Sequence, residues 1–464
     1  MRVLFATAEL SPLASVGGLA QAATGLVREL RSLGVHVDVA VPDYFALPLE
    51  GEVLSEISVP GWASPAIVRD GVAEGFGEVT LVRVPGIERP NPYVDGNGEG
   101  WPDNADRFFA FSAAVAALAR DRSPDVLHCN DWHTAAALGL LYRPIPTVFT
   151  IHTLGYQGWT SGGWLDRLTR SVEAFESYGG TNPLAGAVQI ADRVITVSPT
   201  YADEIRTLEG GAGLHDQLTP RGSDLIGILN GIDANVWDPE LDPVIAEPFS
   251  ASDLSGKAAC RAELHDLARW RDDGAPVVAM VTRLVHQKGI EFALEAARFA
   301  DALPFRLAIL GEGERWLVDW AHHLATIHPD TVWFHEGYHP AMSHRAFGGA
   351  DFMLVPSRFE PCGLSQMQAM AYGTIPVVTP VGGLVDTVID ADSDRRTGNG
   401  FVAASVDTAG VVDALHRAVR AWKHPRRRAS IQQRGMARDW SWAGPARKHI
   451  EVYRELLAEN AATT

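Results

Sequence analysis

Residues 356–387 read PSRFEPCGLSQMQAMAYGTIPVVTPVGGLVDT, and the architecture turns on them. Just before them, Ala350-Asp351-Phe352-Met353-Leu354-Val355 is an apolar run of the kind that forms a buried strand. Leu364, Met367, Met370 and Ala371 then recur at helical spacing, and Gly373 closes the helix. A second apolar run, Ile375 to Val378, leads into Gly382-Gly383. This is a strand–loop–helix–strand–loop unit, and in open α/β sheets ligands sit outside the carboxyl ends of the strands. Glu360 and Gly363 fall at that edge. A glycine opening a helix can turn backbone N–H groups and the positive dipole end toward a phosphate or sugar oxygen.

The same grammar runs through the chain. Val277 to Val281 reads as a strand, and the turn after it carries Arg283 and Lys288, five residues apart. Arg can clamp a diphosphate bidentately while Lys adds a point charge, although solvated surface cations are the commoner use. At the start of the chain, Arg2 to Ala8 reads as a strand, Ser15 to Ala20 as a loop with Gly17-Gly18, and a helix follows to Leu33. The glycine pair either lets the helix pack against the strand or brings N–H groups to a phosphate. It is neither a dinucleotide fingerprint nor a P-loop. The strand ending in Asn130-Asp131-Trp132-His133 offers a carboxylate and an indole face to a sugar, or else Asp131 caps the next helix. Pro146 to His152 is another strand ending in a histidine, followed by Thr153-Leu154-Gly155-Tyr156-Gln157-Gly158. Two successive histidine-bearing strand ends point at one crevice. The loop Glu88 to Asp103 is long enough to be functional or mobile.

At 464 residues the chain exceeds one ordinary core, so two doubly wound α/β domains with a crevice between them are expected. Asp238 to Ser255, rich in Pro and acids without periodicity, reads as the linker. The expected division is 1–245, 246–438 and a C-terminal piece 439–464. A net charge of −18 argues against nucleic acid and anionic membranes as partners. No run approaches the roughly 20 apolar residues of a membrane helix. Three scattered cysteines and an N-terminus without a signal-peptide pattern suggest a reducing, cytoplasmic setting. No spacing marks a metal site or a nucleophile elbow.

In order and over nearly the whole chain, these segments resemble the glycogen/starch synthase family of retaining GT-B glycosyltransferases. The matches include Gly17-Gly18-Leu19, Asp131-Trp132-His133, His152 with Tyr156-Gln157-Gly158, Arg283 with Gln287-Lys288-Gly289, Ala350 to Leu364, and Gly382-Gly383-Leu384. The resemblance implies two Rossmann-like domains, with C-terminal helices crossing back to the first. It implies a nucleotide-sugar donor and a saccharide acceptor, with no cofactor or metal. Donor contacts would come from Gly17, Gly18, Arg283, Lys288, Glu360, Cys362, Gly363 and Leu364. The acceptor side would hold Ser15, Gln21, Asp131, Trp132, His133, Tyr156 and Gln157. Catalysis would rest on His152, Asp131, Glu360, Arg283 and Lys288, by front-face transfer with retention.

Three positions depart from the family pattern. Its first loop carries a Lys where this chain has Ser15, and an Asp where it has Gln21; its Asn after the histidine is Thr153 here. A lost charge-assisted contact is worth about 1.5–3 kcal/mol. The sequence therefore favours a specialised transferase joining a nucleotide-activated sugar or cyclitol to a small saccharide or aminosugar. The alternatives are a genuine α-1,4-glucan synthase using ADP-glucose or UDP-glucose, and a non-catalytic saccharide- or nucleotide-binding homologue.

Overall fold

The computed structural model describes residues 1–299, 304–337 and 339–463. The chain divides into two compact units, Met1–Gly231 with Trp442–Thr464, and Ile232–Ser441.

The first unit is built on β1 (Arg2–Ala6), β2 (His36–Pro42), β3 (Glu50–Glu56), β4 (Ile67–Ala73), β5 (Gly77–Arg83), β6 (Val126–Asn130) and β7 (Thr147–Ile151). Further on come the short β8 (Thr160–Ser161), β9 (Glu176–Ser177) and β10 (Gly180–Thr181), then β11 (Arg193–Thr196) and β12 (Leu225–Gly227). Nine strands form one sheet in the order β12-β11-β7-β6-β1-β2-β5-β4-β3. From β12 to β5 the strands are parallel, and β4 and β3 extend the edge antiparallel. The central strands β6 and β7 are buried at every residue, as strands covered on both faces are. The strand order reverses between β1 and β6, so the turns after these two strands flank the switch point where such sheets bind ligands. The C-terminal helix Ala443–Thr463 belongs to this unit. Ala446, Ile450, Tyr453 and Leu456 share a core with Ala22, Leu26 and Leu30 of the helix Gly18–Ser32. This is the expected return of the chain to its first domain, and it starts at Trp442.

The second unit carries β13 (Val277–Val281), β14 (Arg306–Gly311), β15 (Val332–Glu336), β16 (Phe352–Val355), β17 (Ile375–Val378) and β18 (Phe401–Val402). They form an all-parallel sheet in the order β15-β14-β13-β16-β17-β18. The reversal here lies between β13 and β16, so the Arg283–Lys288 turn and the Glu360–Gly363 turn flank it.

The segment expected as a linker, Asp238 to Ser255, lies wholly within the second unit, and the division comes at Gly231/Ile232 instead of 245/246. Its acids cap turns: Asp238 accepts from the Glu240 N–H and Asp242 from the Val244 N–H, each at 2.9 Å. The other carboxylate oxygen of Asp242 accepts from the Tyr372 hydroxyl at 2.6 Å, and Ile245 and Phe249 are buried. Composition alone could not distinguish such turns from a linker.

Lys257, also buried, ties this region together. Its ammonium donates to the carbonyls of Phe347, Gly348 and Tyr372 and to the Thr374 hydroxyl at 2.8–3.4 Å. Burial pushes it down to about 8. Lys257→Met takes this donor away from the Gly348 and Tyr372 carbonyls in a dry site. The variant is expected to lose about 3 kcal/mol, measured by chemical denaturation, with donor KM unchanged. Among the described residues no helix is long and apolar enough to cross a membrane.

Candidate active site

In the first unit the site grows from the turns after β1, β6 and β7. Glu9, at the end of β1, is buried, and one carboxylate oxygen accepts from the N–H groups of Val16 and Gly17 at 2.8 and 2.9 Å. Its other oxygen accepts from the Tyr93 hydroxyl at 2.8 Å. The Gly17 N–H, expected to face a phosphate, therefore points inward and holds the glycine loop onto Glu9. Ser15, Val16, Gly17, Gly18 and Gln21 are all exposed along this loop and the start of its helix. The long loop 88–103 is anchored rather than loose: Tyr93 fixes it to Glu9, and the Trp101 indole donates to the Asn91 carbonyl at 3.0 Å. Glu9→Ala is expected to free the glycine loop and raise donor KM about tenfold, read from initial rates at fixed acceptor.

Asp131 takes the N-cap position of the helix Trp132–Gly139, yet its side chain makes no cap. Its backbone sits at φ 54°, ψ 177°, a region that side-chain-bearing residues rarely occupy. The strain lets its carboxyl reach across and accept the His152 backbone N–H at 2.7 Å. Of the two readings the sequence left open, the cap is thus excluded. Burial pushes this carboxyl up to about 7, aided by nearby Glu9 and opposed by the N–H groups of His152 and Thr153. Near neutral pH Asp131 therefore exists in both protonation states and can hold or pass a proton.

The His152 ring lies 3.0 Å through Nε2 from the Asn130 amide oxygen, while the Asn130 amide nitrogen donates to the Ala6 carbonyl. Asn130 thus presents an acceptor, so Nε2 carries the hydrogen and Nδ1 keeps its lone pair. Burial, and then nearby His449, lowers this imidazole to about 3 and keeps it neutral. Behind it lies a cavity of about 10 Å³, bordered by Asn130, Thr150, Asn230, Trp442 and His449, which is room for one water. His128, wholly buried, joins the Thr150 hydroxyl at 2.7 Å to the Tyr453 hydroxyl at 2.6 Å. The C-terminal helix therefore supports the histidine strand end from below, a tie with no local mark in the sequence.

Other acceptor-side expectations separate. Trp132 packs on Gly158 and edge-on to Phe108. His133 is buried between Tyr93 and Phe108, and burial, with Arg107 nearby, holds it down at about 3. Tyr156 is exposed. Gln157 is a strut, its amide donating to the Ala212 carbonyl at 2.8 Å and accepting from Asn182 at 2.7 Å.

In the second unit Lys288 and Glu360 meet as an ion pair, Nζ to Oε2 at 2.6 Å, and the Ser357 hydroxyl donates to the same oxygen at 2.8 Å. Glu360 is buried and Lys288 partly so. One of three ammonium N–H groups is spent on Glu360, and two remain. Arg283 is exposed, and among the described residues its guanidinium has no hydrogen-bond or ion-pair partner. The two turns are stitched together by the Arg358 N–H to the Gln287 carbonyl at 2.8 Å and the Gln287 amide to the Phe359 carbonyl at 3.2 Å. The Gly383 N–H donates to the Glu360 carbonyl at 3.0 Å, which brings in the turn after β17. Gly363 sits at φ 73°, two residues before the helix Ser365–Ala371, which therefore starts later than the glycine suggested. Its loop with Cys362 is held by buried Gln366, whose amide donates to both carbonyls at 3.1 and 3.0 Å. Ser357 and Gln366 carried no signal in the sequence, since buried polar anchors look like ordinary helix and loop residues.

Two largely parallel sheets, each with a polar set at its own switch point, have the build of a GT-B glycosyltransferase. The catalytic domain of starch synthase IV from Arabidopsis thaliana, bound to ADP and acarbose, matches with a TM-score of 0.88 at 32% identity, covering 98% of this chain and 99% of that one. Residues 2–220 match the family described as starch synthase catalytic domain, and residues 268–435 match glycosyl transferases group 1. The glycogen synthase of Halorhodospira halophila is 39% identical, covering 99% of each chain. That of Methylocella silvestris is 39% identical, covering 98% of this chain and 99% of its own. The chain belongs to the glycogen/starch synthase family, and it is a glycosyltransferase.

Proposed function

We propose that the protein is an α-1,4-glucan synthase that moves glucose from a nucleotide sugar to the end of a glucan, with retention. The observation that carries this reading is the end-to-end similarity to glycogen synthases, together with the intact Lys288–Glu360 pair at the second unit's switch point. In this proposal Arg283 and the two remaining N–H groups of Lys288 hold the donor diphosphate and stabilise its charge as it leaves. Glu360 accepts from sugar or ribose hydroxyls, and the Cys362–Leu364 amides face the sugar or phosphate. Asp131, His152 and Trp132 serve the acceptor and the reacting carbon. The bond from the sugar carbon to the diphosphate breaks, the bond to the acceptor hydroxyl oxygen forms on the same face, and the hydroxyl proton passes to the departing phosphate.

The replaced loop positions Ser15 and Gln21 favour the second reading, transfer to a small saccharide or aminosugar. The glycogen synthase relatives weigh more heavily, since their similarity spans the chain while the departures are three positions, Ser15, Gln21 and Thr153. The readings separate in a thermal-shift screen of ADP-glucose and UDP-glucose, followed by incubation of the better donor with glycogen and with small aminosugars. The synthase reading expects a raised melting temperature with one donor and diphosphate release with glycogen. Release with aminosugars alone would replace it.

A further inference from the structure

Aromatic side chains continue outward from Trp132 along the segment that follows His152. The Trp132 ring lies so close over Gly158 that a Cβ there would come within 2.1 Å of it. The next residue, Trp159, is 59% exposed. Its ring lies over Gly180 of β10, where a Cβ would come within 2.6 Å, and its indole N–H donates to the Ser177 carbonyl of β9 at 3.3 Å. The small sheet β8-β10-β9 thus serves as a bed for this indole. Tyr178 stands at the turn between β9 and β10, 96% exposed, with its backbone at φ 49°. The turn is fastened by the Gly179 N–H donating to the Glu176 carboxylate at 2.8 Å.

A tyrosine left in water on a strained turn gains nothing in burial, and an indole tethered by its N–H yet 59% exposed is presented rather than packed. Aromatic rings held at the surface in this way offer a flat apolar face to a ligand. The contacts run without a break from Asp131 through Trp132, Gly158 and Trp159 to Ser177 and Tyr178, so the occupant is continuous with the acceptor side. We propose that Trp159 and Tyr178 form an outlying platform on which a neutral α-glucan chain stacks, several sugars away from its reacting end. The proposal rests on the acceptor reading given above. Pyranose rings carry an apolar C–H face that suits aromatic stacking, and a neutral polymer avoids repulsion from a chain with net charge −18.

The test uses Trp159→Ala and Tyr178→Asn, alone and combined, in the full chain. Both side chains are more than half exposed, and Asn tolerates the left-handed turn, so the variants should stay folded with melting temperatures within a few degrees of the wild type. In the double variant KM for glycogen is expected to rise about tenfold, with KM for maltotriose and kcat on both acceptors unchanged. Retardation on glycogen-containing native gels, measured without donor, should fall in parallel. An equal KM change for maltotriose and glycogen, or undiminished retardation of the double variant, would overturn the platform. Wild-type protein that is retarded by glycogen but transfers to no glucan would overturn the acceptor reading and leave the platform standing.

Discussion

Lys288→Ala is expected to lower kcat about a hundred- to a thousand-fold, the usual effect of removing one donor from a group where charge develops. The residue does two jobs in one place. It neutralises buried Glu360 at 2.6 Å, and it keeps two N–H groups for an anion. The single variant therefore leaves a buried carboxylate unpaired as well, at a cost of about 3 kcal/mol in stability. The double variant Lys288→Ala/Glu360→Gln separates the two effects. Its melting temperature should return most of the way to wild type while turnover stays low. Measuring diphosphate release alongside thermal melts checks both parts. Recovery of turnover together with stability would mean that Lys288 acts only as the partner of Glu360.

Asp131→Asn is expected to lower kcat by about a hundred-fold or more, because no carboxylate then faces the positive charge that develops at the reacting sugar carbon, while making the protein more stable above neutral pH. The sign follows from linkage. In the folded protein the carboxyl stays protonated up to about 7, while in the unfolded chain it ionises near 3.8. Between those values the folded state binds the extra proton, so this group lowers stability by about 1.4 kcal/mol for each pH unit of rise. Above about 7 the penalty is constant. Asparagine removes it and still offers an oxygen to the His152 N–H. Denaturation curves at pH 5 and pH 8 should show the variant gaining most at pH 8, and the limb of the wild-type pH–rate profile near pH 7 should be absent from the variant's. A variant less stable than wild type at pH 8 would show that the carboxyl is ionised and favourably held.

Val277–Val281 and Ile375–Val378 are legible in the sequence with their observed ends, because burial on both faces leaves an unbroken apolar run. Glu50–Glu56 was missed because it is an exposed edge strand with three glutamates and no alternation to detect. The two-residue strands beneath Trp159 are too short to carry a period. Residue types at strand ends pointed to Asp131, His152, Lys288 and Glu360, but not to their partners. Nothing local says that Tyr93 reaches Glu9 across 84 positions, or that Tyr453 reaches His128 across 325. Lys257 was passed over because a lysine on a helix is normally solvated, and only the convergence of three carbonyls makes it an anchor. The strained backbone of Asp131 leaves no trace in residue type.

One assay bears on the synthase reading above all: incubation of the full chain with ADP-glucose or UDP-glucose carrying radiolabelled glucose, in the presence of glycogen. The expected result is label precipitating with the glycogen and released from it as maltose by β-amylase, with diphosphate formed in equal amount. Label that stays out of the polymer and appears on an aminosugar or other small acceptor supplied alongside would instead establish the small-acceptor transferase.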